Sequence, residues 1–203
     1  MLHRAAIAAL AACALAAAAC APVSSNPVTL EYTPPNFLTP APGAEGVAIR
    51  IVVDDLRSDK TRLGDVLDNS GATIAPILAA GSVTDTIAQA IASGLGTRGF
   101  NVTPAAPAVV RVDLTRFDCT FQSGMLSGSA SARMTMNVQV IAPDGKPVYA
   151  AAFSGEGDNG GFEDSSSDNA KPALDRALND AVNRLIGDPG FVAALERASR
   201  VAT

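Results

Sequence analysis

The sequence predicts an α+β domain in two layers, an antiparallel sheet with helices packed on one face. Two-residue apolar alternation marks strands at 47–53, 110–114 and 134–140. Apolar residues at four-residue spacing mark helices from Val83 to Leu95 and from Leu174 to Leu185. Strong turn sequences, Asn69-Ser70-Gly71 and Pro143-Asp144-Gly145-Lys146, join neighbouring strands as hairpins. Strands that follow one another through turns, with apolar-faced helices set apart from them, make α+β rather than α/β.

Each element has its own signal. Val47, Ile49, Ile51 and Val53 form the first strand, and 64–68 pairs with 72–77 as a hairpin. Ser82 caps the first helix, with Asp85 in the capping-box position. Val83, Ile87, Ile91 and Leu95 line its inner face, and Gly99 ends it, with Phe100 just past the cap. Val110, Val112 and Leu114 begin the next strand. In the one after, Met134, Met136, Val138 and Val140 face one way and Arg133, Thr135, Asn137 and Gln139 the other, so the sheet has a covered side and a wet side. Residues 148–154 make a third long strand. The second helix starts near Asp168-Asn169, accepts Pro172 in its first turn and stops at Gly187. Asp188-Pro189 opens a short last helix through Arg197. The Ser- and Gly-rich stretches 122–131 and 154–167 read as loops, the places where binding is most often carried.

The chain has 203 residues, 48% apolar but only 4% aromatic and without Trp, so the core is built from Ala, Val, Ile and Leu. Its formal charge is −5, and removal of a leader that holds only Arg4 takes this to about −6. No Lys/Arg cluster exists, which argues against nucleic acid as a partner. Of three cysteines, Cys13 and Cys20 fall near the start, leaving Cys119 alone in the domain as a small buried apolar residue.

Residues 1–20 read MLHRAAIAALAACALAAAAC. Arg4 precedes an apolar run that is too short for a membrane span of about 20 residues and ends in small residues, so 1–19 is a signal peptide. A Cys directly after such a run resembles the lipobox of bacterial lipoproteins. The resemblance implies that Cys20 is acylated and becomes the first mature residue, with membrane lipid as its partner. Ala17 stands where that pattern usually has Leu, and Leu10-Ala11-Ala12-Cys13 fits the letters better, so Cys13 is the second candidate for lipidation. Ala21, in place of the Asp that retains lipoproteins at the inner membrane, implies the outer membrane, with the domain facing the periplasm. Residues 20–46 carry Pro22, Pro27, Pro34, Pro35, Pro40 and Pro42 and read as a semi-rigid tether of up to about 80 Å. Residues 29–32 stand open between plain linker and a short edge strand folded back on the domain, which runs over 47–203.

The lipobox, the Pro-rich spacer, a first strand running into Asp55-Leu56-Arg57-Ser58-Asp59, the helix ending in Arg98-Gly99-Phe100, the strand-rich middle and the helix at 173–186 with Phe191 after it come in one order. That order resembles the YajG-type family of uncharacterised bacterial lipoproteins across nearly all of the mature chain. The family has no assigned activity, so the resemblance supplies no catalytic residues.

Catalytic readings are weak. The only His, His3, lies in the leader, so no His-based triad or His metal ligand remains. Gly94-Leu95-Gly96-Thr97-Arg98-Gly99 matches GxGxxG in letters, but at a helix end, not at the helix start a dinucleotide needs. Ser167-Asp168-Asn169 resembles one motif of penicillin-recognising enzymes without the others, and reads as a helix cap. Asp54, Asp55, Asp59, Asp65 and Asp68 crowd one region and Glu163, Asp164 and Asp168 another; neither has the spacing of a calcium loop. The sequence therefore predicts no catalytic, cofactor or metal site, and no enzyme. It predicts a membrane-anchored envelope lipoprotein whose domain binds an envelope protein or polymer. The alternative is an auxiliary lipoprotein of a lipid or solute transport system, which should expose a continuous apolar groove between sheet and helix.

Overall fold

The computed structural model describes residues 26–35, 39–122, 128–162 and 167–200. Seven strands form one sheet: β1 (Ala48–Asp55), β2 (Arg62–Leu67), β3 (Thr73–Leu78), β4 (Asn101–Val102), β5 (Ala108–Gln122), β6 (Gly128–Ile141) and β7 (Pro147–Phe162). Three α-helices, α1 (Val83–Thr97), α2 (Lys171–Gly187) and α3 (Pro189–Arg200), pack against it, and a 3-10 turn (Ser167–Ala170) leads into α2. This is the expected α+β class.

The sheet is mixed rather than wholly antiparallel. β2–β3, β5–β6 and β6–β7 are antiparallel, as the turn sequences require. β1 instead runs parallel to β5, because β2, β3, α1 and β4 lie between them and return the chain to the starting end. Long β5 has two partners end to end on one side: β1 from Ile49↔Ala108 to Asp55↔Leu114, then β2 from Gly64↔Cys119 to Leu67↔Gln122. Its ladder with β6 slips between Leu114 and Arg116, at the point where one partner gives way to the other.

The covered face is built as its periodicity predicts. Val110, Val112, Leu114, Met134, Met136 and Val140 are fully buried against Ile87, Ile91 and Leu95 of α1 and Leu174, Leu178, Val182 and Leu185 of α2. Arg133, Asn137 and Gln139 are exposed on the other face. Ser82 Oγ accepts from the Asp85 amide at 3.1 Å, and Gly99 takes φ +92° beyond the end of α1. Ser167-Asp168-Asn169 forms the 3-10 turn; the residue capping α2 is Ala170, which has no side-chain cap.

Residues 128–131, read as loop, already belong to β6, and two longer segments also differ from expectation. Residues 154–162, read as loop from their glycines, continue β7. Those glycines are there for α2: a Cβ on Gly155 would overlap the Ala177 carbonyl and Ala181 amide, and one on Gly157 the Ala173 carbonyl. With Ala173, Ala177 and Ala181 on the facing stripe, helix and strand approach backbone to backbone. The second is the Pro-rich stretch. Val28 bridges Ala79 beside β3, then the chain runs along α2: the Glu31 amide donates to Asp175, Tyr32 Oη to Asn183, and the Thr33 amide to Asn179, which donates back to the Glu31 carbonyl. Val28, Leu30, Ala41 and Ala44 are buried, so this stretch is a strap on the folded body.

Candidate functional site

The Asp55–Arg57 pair closes the gap where β5 changes partner. Arg57 follows the end of β1, and its guanidinium is 8% exposed against a carboxylate 4% exposed. Nε and Nη2 donate to Asp55, Nη2 to the Lys60 carbonyl at 2.8 Å, and Nη1 to the carbonyls of Arg62 at 2.9 Å and Phe117 at 3.1 Å. Each nitrogen of the fork is thereby used on the protein itself. The Phe117 carbonyl lies between the last residue that β1 pairs and the first that β2 pairs. Arg57 thus supplies the hydrogen bond that a strand would otherwise supply. Burial pushes the Asp55 carboxyl up, but the hydrogen bonds and charge of Arg57 outweigh it and hold the pKa below its usual 3.8. The expectation for this region was an acidic cluster; Asp-x-Arg just past a strand end was the available signal for a clamp.

The other acidic residues are also spoken for. Asp54 pairs with Arg111 and Asp65 with Arg62. Asp59 accepts from the amides of Thr61 and Arg62, and Asp68 from those of Ser70 and Ala72, each closing a turn. Among the described residues, no group of three or more His, Cys, Asp or Glu could hold a metal ion. Glu163 and Asp164, like Cys13 and Cys20, lie outside the described residues. Gly94 is buried within α1 beneath Ile186 and Tyr32, so the GxGxxG letters sit in a packed helix, not in a phosphate loop. Cys119 is 2% exposed, and burial, with the Asp118 charge adding to it, pushes its thiol up to about 12.

The wet face of the sheet carries the most distinctive surface. A cavity of about 300 Å³ lies beside the clamp, and a second of about 280 Å³ lies over β5, β6 and β7. They share Arg116 and Asp118, so together they make a trough across the sheet. Its charges come in pairs: Arg62 with Asp65, Arg116 with Asp118, and Arg133 with Glu156. Among the described residues the sheet–helix interface is packed with fully buried side chains, and an apolar recess of about 320 Å³ lies beside α1 and β4.

Buried apolar helices on a mixed sheet, a strap leading from the N-terminal side and an open face lined by charges describe a two-layer α+β domain. Residues 37–196 match the sequence model of Lipoprotein_16, an uncharacterised lipoprotein family, and the chain belongs to that family, as the YajG-type resemblance led one to expect. No curated protein matches it in sequence. The XCC0632 protein of Xanthomonas campestris, from the DUF330 family, is similar in structure: TM-score 0.60 and 15% identity over 88% of this chain and 100% of that one. Lipoprotein GNA1162 of Neisseria meningitidis is more distant, with TM-score 0.31 and 13% identity over 54% of this chain and 82% of that one. At these identities the likeness to XCC0632 is one of fold, and the second likeness carries no argument.

Proposed function

We propose that this protein is an envelope lipoprotein, anchored by acyl chains on Cys20 to the periplasmic side of the outer membrane, whose open sheet face binds another envelope protein or polymer without catalysing a reaction. The observation that carries the binding role is the trough across β2, β5, β6 and β7. It is polar, lined by charges of both signs, and shaped by rigid strands. Such a surface complements a polar partner by hydrogen bonds and matched charge.

The strap sets where binding takes place. Val28, buried and bridged to Ala79, is held on the folded body. With lipid on Cys20, the residues 21–27 join anchor to Val28 and reach at most about 30 Å, not the 80 Å of a free tether. The domain therefore works close to its membrane, and its partner is membrane-proximal.

Photocrosslinking in cells tests the binding role. A crosslinking residue at Thr120, on the trough, should capture a discrete envelope partner, and charge reversal at Arg133 should weaken that capture. Equal capture from the trough and from Gly145, on a turn, would overturn the assignment of the trough.

A further inference from the structure

Among the described residues β7 is the longest strand and lies at the margin of the sheet, paired with β6 and with no strand beyond. An unpaired margin is a template for another strand, and proteins that stay single blunt it with charge, proline or a covering element. Here one part of the edge is blunted. The Glu156 amide points outward and donates to Asp180 of α2, and the outward Asp158 carbonyl accepts from Arg176. Pro147 closes the opposite end.

The stretch between is left bare. The β6–β7 register is unbroken from Ser129↔Gly160 to Val140↔Tyr149, so Ala150, Ala152 and Ser154 point their N–H and C=O groups outward as Glu156 and Asp158 do. These groups have no partner among the described residues. Their side chains are exposed and small, and no charged residue lies between Lys146 and Glu156. Tyr149 and Phe153 are only partly buried at the same edge, on the helix side.

We propose that a second copy of this chain adds its β7 to this edge, antiparallel, about a two-fold axis at Ala152. Self-complementarity argues for a second copy over an unrelated strand. In this register Ala152 meets Ala152, Ala150 meets Ser154, and Lys146 of each copy lies opposite Asp158 of the other. Lys146 is 81% exposed and pairs with Asp144 of its own turn at 3.1 Å; exchanging that exposed partner for Asp158 of the other copy puts opposite charges at both ends of a neutral centre. On the helix side each copy presents the Asp180–Arg184 pair, whose charges cancel. The pairing satisfies the bare backbone groups and covers the remaining surface of Tyr149 and Phe153. A closed two-fold contact also consumes both edges and leaves none for further growth.

The test uses the full protein purified in mild detergent. Directly opposed residues of a hydrogen-bonded antiparallel pair lie about 5.5 Å apart at Cα, within disulfide reach. Ala152→Cys should therefore form a covalent homodimer on mild oxidation, while Thr120→Cys on the same face should not. Buried Cys119 contributes no background in the native protein. In sedimentation the unaltered protein should have twice the chain mass, and Ala152→Pro should be monomeric with an unchanged melting temperature, since its lost N–H serves nothing within one copy. Ala152→Arg gives the same readout should the proline variant fail to fold. A monomer at concentrations up to about 100 μM, no excess of Ala152→Cys dimer over the Thr120→Cys control, or Ala152→Cys captured only by a different protein would each overturn the proposal.

Discussion

Arg57 donates a hydrogen bond of 3.1 Å to the carbonyl of Phe117, sixty residues further along the chain, at the break in pairing between β1 and β2. The contact explains how one long strand can hold two partners on one side without an orphaned carbonyl. Replacing Arg57 with Met leaves that carbonyl unpaired and strands the Asp55 carboxylate in a buried site. Breaking such a pair from one side costs about 3–5 kcal/mol, read as a fall in urea-unfolding free energy. Arg57→Lys should recover little, because a single ammonium cannot span the Asp55 carboxylate and three carbonyls. The double variant Asp55→Asn/Arg57→Met should lose less than the sum of the two single changes.

Acid should act through the same pair. The folded pKa of Asp55 lies below its usual 3.8, so the unfolded chain takes up the proton first as pH falls. The contribution is complete above about pH 5 and is lost as pH drops through the folded value. Asp55→Asn should accordingly flatten the plot of unfolding free energy against pH below about pH 5. Parallel curves for the two proteins would contradict the assignment.

Gly155 sets the distance between β7 and α2. Gly155→Ala drives a methyl into the backbone of α2 at Ala177 and Ala181, neither of which can turn away. A loss of about 3 kcal/mol or more is expected in thermal or chemical unfolding. Gly160→Ala, whose new carbon meets only Ser129 Cβ at 4.0 Å, should stay within about 0.5 kcal/mol of the parent.

These residues also mark where sequence reading works. Alternation at 110–114 and 134–140 identified strands because one face is apolar and the other wet, and the Val83–Leu95 stripe identified α1 for the same reason. Alternation carries no direction, so it could not show that β1 lies parallel to β5, nor that β5 changes partner near Arg116. Glycine reads as loop because it lacks a side chain, yet at Gly155 and Gly157 that lack is what admits the helix. The strap was half legible: prolines at 34 and 35 read as extended chain, but its bonds to Asp175, Asn179 and Asn183 join residues about 145 apart and leave no local pattern. The clamp was visible as letters and invisible as a site, since its acceptors are backbone carbonyls.

The strap should loosen without the rest of the fold. Asn179 accepts from the Thr33 amide and donates to the Glu31 carbonyl. Asn179→Ala removes both bonds from a solvent-facing side of α2, and hydrogen exchange at Thr33 should quicken about tenfold. Amides of β5 and β6 should keep their protection. Unchanged exchange at Thr33 would show that buried Val28 and Leu30 hold the strap by themselves.

The proposed anchor is a lipid at Cys20, joined by a short link to a body that begins at the strap. Intact-mass and peptide mass spectrometry of the protein taken from its own membranes tests this directly. The predicted result is a mature chain that begins at Cys20 and carries acyl chains, with Cys20→Ala released from the membrane fraction. A chain acylated at Cys13, or an N-terminus bearing no lipid, would contradict it.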